Sequence, residues 1–169
     1  WTFFVDGLFG ATPELLVSRE GVHVHSRVLA GTMKRSRDQF VDHDLAAQLL
    51  DSDKDLDEHR YAVQSVADAL AAHCTDLTVP AEPSLLQLAN VQHLGTKVEG
   101  RLSQPNTHVL DLVDALAPTP ALGGYPREGA LDLIAAVEGV DRGPYGGAVG
   151  WVDAQGNGTW AVTIRCALL

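Results

Sequence analysis

The chain is short of cysteine, of lysine and of long apolar runs, and each shortage excludes something. Its two cysteines, Cys74 and Cys166, lie far apart with no CxxC spacing, so neither a zinc knuckle nor a disulfide framework is available. Free, mostly buried thiols in a reducing, cytoplasmic setting are expected. Lysine occurs at positions 34, 54 and 97 alone, and the formal net charge is −10. Such a surface repels phosphate backbones, and no basic stripe offsets it, so nucleic-acid binding is not expected. No apolar run approaches the roughly 18 residues that span a bilayer, so no membrane insertion is expected either. The first residues, Trp1 to Val5, have no positively charged segment or small-residue cleavage site and do not read as a signal peptide. They read as a strand entered partway through. GxSxG, P-loop, GxGxxG and HExxH signatures are all missing.

What is present describes one ordinary domain. The 169 residues are 46% hydrophobic and 20% charged, enough to bury a core. Residues 1–32 read as short strands cut by Asp6-Gly7 and Glu20-Gly21, and Val22 to His25 alternates with period two. From Asp38 to about His73 the pattern is helical. Phe40, Leu45, Leu49 and Leu50 mark one face of a first helix, and Leu56, Val63, Val66 and Leu70 that of a second, capped by Asp51 or Ser52. Residues 84–102 look extended, 108–116 and 127–138 helical. Pro118 to Pro126, with three prolines and two glycines, reads as an irregular, stiff loop. A hairpin from Gly146 to Val152 and from Thr159 to Leu168 closes the chain. Strands and helices mix without a strict βαβ rhythm, which predicts an α+β fold: a layered sandwich of largely antiparallel sheet with flanking helices.

Several residues carry possible chemistry, each with a plainer alternative. Asp51, Asp53, Asp55 and Asp57 resemble a calcium loop, but loop positions six and twelve hold Leu56 and Ala62, so they are read as a solvated helix start. His23 and His25 share a strand face without a third ligand and read as surface histidines. Glu58, one turn into the second helix, is compatible with a surface ion pair and with a magnesium carboxylate. Glu14, at the start of an apolar strand, is either solvated or desolvated enough to serve as a general acid. Arg165, flanked by Ile164 and Cys166, suits a structural salt bridge or a two-point grip on a ligand carboxylate.

Taken in order, GATPELLVSREG (10–21), VLAGTMKR (28–35), SDKDLDEHRYAV (52–63), VQHLGTKVEG (91–100), PTPALGGYP (118–126) and YGGAVGWVDAQGNGTWAVTIRCA (145–167) resemble the chorismate-utilising enzymes over essentially the whole chain. The isochorismate synthase type is favoured. Nothing like the RNDLG segment of anthranilate synthases follows the KDxxEH block, and Ala30 stands where aminodeoxychorismate synthases typically have Lys. Salicylate synthase, which runs the same first step, stays open beside it. The resemblance implies Mg²⁺-dependent addition of water at C2 of chorismate with loss of the C4 hydroxyl, giving isochorismate. It implies Glu14 as the general acid and Glu58 as a metal-holding carboxylate. Gly31, Thr32, His93, Ala121, Tyr145 and Arg165 become substrate-binding residues.

Two departures qualify the resemblance. The family commonly carries His where this chain has Ala117. The lysine that activates water is expected upstream of Trp1, and a glycine-rich strand, a second metal-binding Glu and a carboxylate-binding Lys beyond Leu169. Residues 1–169 are therefore expected to be a partial, central piece of a chorismate-binding domain, monomeric and nearly inactive alone. The rival from another class is a non-catalytic domain that keeps the fold. Anthranilate synthase component I is a third reading, with a glutaminase partner and ammonia dependence.

Overall fold

The structure, a computed structural model, describes residues 1–169. Strands β1 (Thr2–Val5), β2 (Leu8–Ala11), β3 (Leu15–Glu20) and β4 (His23–Lys34) come first, then helices α1 (Gln39–Leu50) and α2 (Asp53–Ala71). Strands β5 (Cys74–Thr78), β6 (Ser84–Gln87) and β7 (Val91–Leu102) follow, then helices α3 (Val109–Leu116), α4 (Pro120–Gly123) and α5 (Arg127–Val137). Strands β8 (Ala148–Val152), β9 (Gly158–Val162) and β10 (Cys166–Leu168) end the chain. The larger sheet runs β5-β7-β4-β3-β9-β8, with β6 also on β7, and the smaller runs β1-β2-β10. Every pairing is antiparallel, in keeping with the α+β expectation.

The two long strands β4 and β7 are the axis of the large sheet, paired from His23↔Arg101 to Lys34↔Val91. One sheet face is apolar. Leu16, Val24, Val28, Val98 and Leu102 pack there against Ala62, Val66 and Leu70 of α2 and Val109, Leu112 and Leu116 of α3. On the other face the Glu99 carboxylate pairs with Lys97 at 2.7 Å and meets the His25 ring at 3.0 Å. Arg19 is 7% exposed and donates to the carbonyls of Gly21, Gln155 and Pro105 at 2.8–2.9 Å, tying three turns together at one end of the sheet.

Of the two candidate caps for α2, Ser52 serves, accepting from the Asp55 N–H at 3.3 Å. Several other local expectations are corrected. On α1 the buried positions are Asp42, Ala46 and Leu49, while Phe40 is 74% exposed. Asp42 occupies that face because Arg35, at 2.7 Å, and the Ser36 N–H, at 2.8 Å, satisfy its carboxylate. On α2 the inward face is His59, Ala62, Val66 and Leu70, with Leu56 and Val63 half-buried at its margin. Strand β5 follows α2 directly, unsignalled by its mixed sequence Cys74–Thr78. The stiff loop contains the helical turn α4, begun by Pro120 at its first position.

The largest correction concerns the closing hairpin. Strands β8 and β9 pair as expected, but β9 ends at Val162. The chain then bends through Thr163–Arg165, with Arg165 at φ +52°, and β10 leaves the large sheet to pair with β2. Gly10 makes the crossing possible. A Cβ there would lie 2.7 Å from the Phe3 ring and 2.8 Å from the Arg165 carbonyl.

Candidate active site

The crossing at Thr163–Arg165, the start of β3 and a bulge in β4 converge at the end of the large sheet nearest α4. Glu14 enters β3 from the β2 side. Its N–H donates to Thr12 Oγ1 at 3.2 Å, and its carbonyl accepts from Val162 N–H at 3.0 Å. Glu14 lines a cavity of about 20 Å³, the room of one water molecule, shared with Ser26, Thr119, Pro120 and Ala121. Burial raises its pKa from 4.5 to about 7, and the charge on Arg165 opposes that rise. A carboxyl poised there is half-protonated near neutral pH, which suits proton transfer.

Arg165 is exposed, and its guanidinium makes no ion pair or hydrogen bond within the chain. The positive-φ bend turns it out of the strand alternation, and the structural salt bridge that its sequence setting also suited is not formed. The same charge helps burial to lower the pKa of His93, so Glu14 and His93 both sense Arg165.

His93 is buried in β7. Its Nδ1 meets Thr32 Oγ1 at 2.9 Å, while its Nε2 is buried with no partner. An orphaned polar atom in such a position is expected to find a ligand or a water. Thr32 lies just past a register shift in the β4–β7 pairing, where Ala30 opposes Leu94 and Thr32 opposes His93. Gly31 is the extra residue, at φ +77°, with Leu94 and Asp55 so close that a Cβ would crowd them at 3.1 and 3.3 Å. This is a glycine bulge, and it turns the backbone of residues 30–32 out of the regular ladder.

Glu58 and Ala121 line a wider cleft of about 610 Å³, together with Ala30, Tyr61, Ala62, Pro120 and Tyr125. Tyr61 and Tyr125 stack at 6.5 Å between ring centroids. The Glu58 side chain is 58% exposed and lies 3.6 Å from Lys54. Ala121 is common to this cleft and to the Glu14 cavity, so the two spaces adjoin at α4. Tyr145 is 45% exposed and stands outside both, but the next N–H, of Gly146, donates to the Thr163 carbonyl at 2.9 Å. That bond holds its loop against the strand end leading to Arg165.

No group of three or more His, Cys, Asp or Glu side chains gathers into a metal cage. The single carboxylate of Glu58 in a water-accessible cleft fits a hard cation of the magnesium type, which keeps several waters and binds one or two protein carboxylates.

Three residues escaped the sequence reading. Thr119 is buried with an unpartnered hydroxyl beside the Glu14 cavity, and its place in PTPA next to Ala121 was the available signal. Ser26 lines the same cavity and donates to the Leu16 carbonyl at 2.7 Å. His59 is only 2% exposed, and its ring meets the Ala30 carbonyl and Thr96 Oγ1. Ala117, where the family commonly has His, ends α3, and its carbonyl accepts from Arg127.

An acid-poised carboxyl, an arginine without a partner in the chain and an orphaned imidazole thus gather toward one end of the sheet of this α+β fold. The chain belongs to the chorismate binding enzyme family, whose profile matches residues 5–169. It is 48% identical over 160 residues to the isochorismate synthase DhbC of Bacillus subtilis, covering 95% of this chain and 40% of that protein. It is 43% identical over 163 residues to the isochorismate synthase EntC of Escherichia coli K12, covering 96% of this chain and 41% of that protein. The crystal structure of a putative 2,3-dihydroxybenzoate-specific isochorismate synthase, DhbC from Bacillus anthracis, superposes with a TM-score of 0.90 at 49% identity, covering 95% of this chain and 43% of that one. The chain thus spans about two-fifths of the length of these relatives. No helix is long and apolar enough to cross a membrane.

Proposed function

We propose that this chain carries part of the active site of an isochorismate synthase, which converts chorismate to isochorismate. Water adds at C2 and gives up a proton, both ring double bonds shift, and the C4 hydroxyl leaves as water after taking a proton. Glu14 donates that proton. Burial of Glu14 beside a one-water cavity, which pushes its pKa to about 7 against the pull of Arg165, is the observation that carries the reading. Arg165, with no partner inside the chain, holds a carboxylate of the ligand through its planar fork. His93, neutral and fixed by Thr32, turns a free ring nitrogen to the ligand. The bulge at Gly31 lets the backbone approach closely, Ala121 borders the space, and Tyr145 stands in the loop held against the strand end that leads to Arg165.

Glu58 is the residue of this chain that would hold Mg²⁺, which would supply charge neutralisation at a ligand carboxylate. None of the three lysines lines either cavity, so no lysine of the chain serves as the water-activating base, and turnover by the 169-residue chain is expected to be slow. The names of the similar proteins support the reaction class. A cytoplasmic, monomeric protein is the accompanying expectation.

Calorimetry with chorismate, with and without Mg²⁺, tests the reading. Saturable binding that strengthens with Mg²⁺ and is lost in Arg165→Ala supports it. Absence of binding under both conditions refutes it and favours a scaffold that has kept only the fold.

A further inference from the structure

His59 lies next to Glu58 on α2 but points the other way, into the sheet. Its Nδ1 is 3.2 Å from the carbonyl oxygen of Ala30, the residue before the bulge glycine. A carbonyl only accepts, so Nδ1 carries the proton and donates. Its Nε2 then accepts from the Thr96 hydroxyl, at 2.8 Å. One imidazole therefore joins three elements: α2, the bulged edge of β4, and β7.

The Ala30 carbonyl is the one the bulge disturbs. Ladder pairing is regular up to Ala30↔Leu94 and resumes one residue out of step at Thr32↔His93. At such a shift the backbone has more than one way to turn its peptide planes, because the partner strand no longer dictates a single orientation. A buried donor fixed from the helix side selects one of them. On the far side of Gly31, the His93 ring meets the Thr32 hydroxyl at 2.9 Å. The residues on either side of the bulge glycine are thus each held by a different histidine.

We propose that His59 is a positioning residue: by donating to the Ala30 carbonyl it sets the orientation of the Ala30–Gly31 peptide, and by its place on α2 it fixes that peptide relative to the Glu58 carboxylate. The bulge and the carboxylate then face the 610 Å³ cleft in a constant relation, since Ala30 and Glu58 both line it. The effect on ligand binding rests on the isochorismate synthase reading. The effect on the bulge does not.

The two ring nitrogens can be separated by substitution. In His59→Asn the amide nitrogen takes the place of Nδ1 and keeps the bond to Ala30. In His59→Gln it takes the place of Nε2 and keeps only the Thr96 side. Thr96→Val removes the other bond while leaving the Ala30 contact intact, and it serves as the comparator for a purely structural loss. Two measurements on the 169-residue chain decide the matter: backbone amide spectra and hydrogen exchange at Gly31 and Thr32, and Mg²⁺-dependent chorismate affinity by calorimetry.

The expected pattern is displaced Gly31 and Thr32 resonances in His59→Gln, with near-native ones in His59→Asn and Thr96→Val. Affinity should fall about tenfold or more in His59→Gln, the usual scale for losing a partner that orients a binding group, and much less in the other two. Asn and Gln variants that behave alike, or a Thr96→Val variant as impaired as His59→Gln, would overturn the proposal. If the unsubstituted chain binds no chorismate, the functional reading fails, and the amide spectra alone judge His59.

Discussion

The guanidinium of Arg165 pulls the pKa of Glu14 down while burial of the same carboxyl pushes it up, and burial wins, leaving Glu14 at about 7. The two residues come from opposite ends of the chain, and they meet because β9 stops at Val162 and β10 crosses to the small sheet.

A pH dependence follows from that carboxyl. The unfolded chain releases the Glu14 proton near 4.5, whereas the folded chain keeps it up to about 7. Below 4.5 both states are protonated and the group adds no slope. Between the two values the folded state binds the extra proton, so stability declines as pH rises, by about 3 kcal/mol in all once pH exceeds 7. Urea unfolding of Glu14→Gln at pH 5 and pH 8 should show a smaller decline than the unsubstituted chain. Equal declines would mean that Glu14 is solvated.

Gly31→Ala should destabilise the fold by about 1–2 kcal/mol, because the substitution forces a side chain into a left-handed conformation. The new methyl also meets Leu94 and Asp55 at 3.1 and 3.3 Å. Denaturant midpoints measure the loss, and an unchanged midpoint would show that the bulge relaxes freely.

Glu58→Gln separates stability from ligand binding. The carboxylate is 58% exposed and 3.6 Å from Lys54, an exposed pair. Its removal should change stability by no more than ~0.5 kcal/mol. Under the proposed function the same variant loses the Mg²⁺ dependence of chorismate binding, which titration calorimetry reads directly.

Arg19→Lys should cost about 2–3 kcal/mol, since an ammonium cannot reproduce a planar fork that serves several acceptors at once. The carbonyls of Gly21, Gln155 and Pro105 lose a common donor. Faster hydrogen exchange in the turns at 103–108 and 153–157, with little change at Leu94, is the expected signature.

The sequence made the elements legible where period and punctuation agreed. Val22 to His25 and the 84–102 stretch became β4, β6 and β7, and the Asp38–His73 pattern became two helices divided at a Ser52 cap. It misled where polar side chains were buried with partners. Asp42 and His59 hold inward positions on α1 and α2 because Arg35, Ser36, Ala30 and Thr96 satisfy them, and no hydrophobic count registers such partners. It could not show the break at Thr163–Arg165, because Ala161 to Leu168 reads as one continuous strand and only Gly10, more than 150 residues earlier, makes room for the crossing.

The candidate site was legible in the same uneven way. Of the residues named from the resemblance, Glu14, Glu58 and Ala121 line two adjoining spaces, Arg165 acts on Glu14 and His93, and His93 bonds to Thr32 beside the Gly31 bulge. Tyr145 is linked only through its backbone. Thr119 and Ser26 were passed over because a hydroxyl in a loop and one in a strand carry no signal until a cavity opens beside them.

Arg165 is also the point at which the chain hands over from one sheet to the other, and the three strands of the smaller sheet are short. A bound anion that captures this guanidinium would act as a rivet between the sheets. Occupancy should therefore be readable far from the ligand, as slower amide exchange along Leu8–Ala11 and Cys166–Leu168. The small sheet would then report filling of the cleft without touching what fills it.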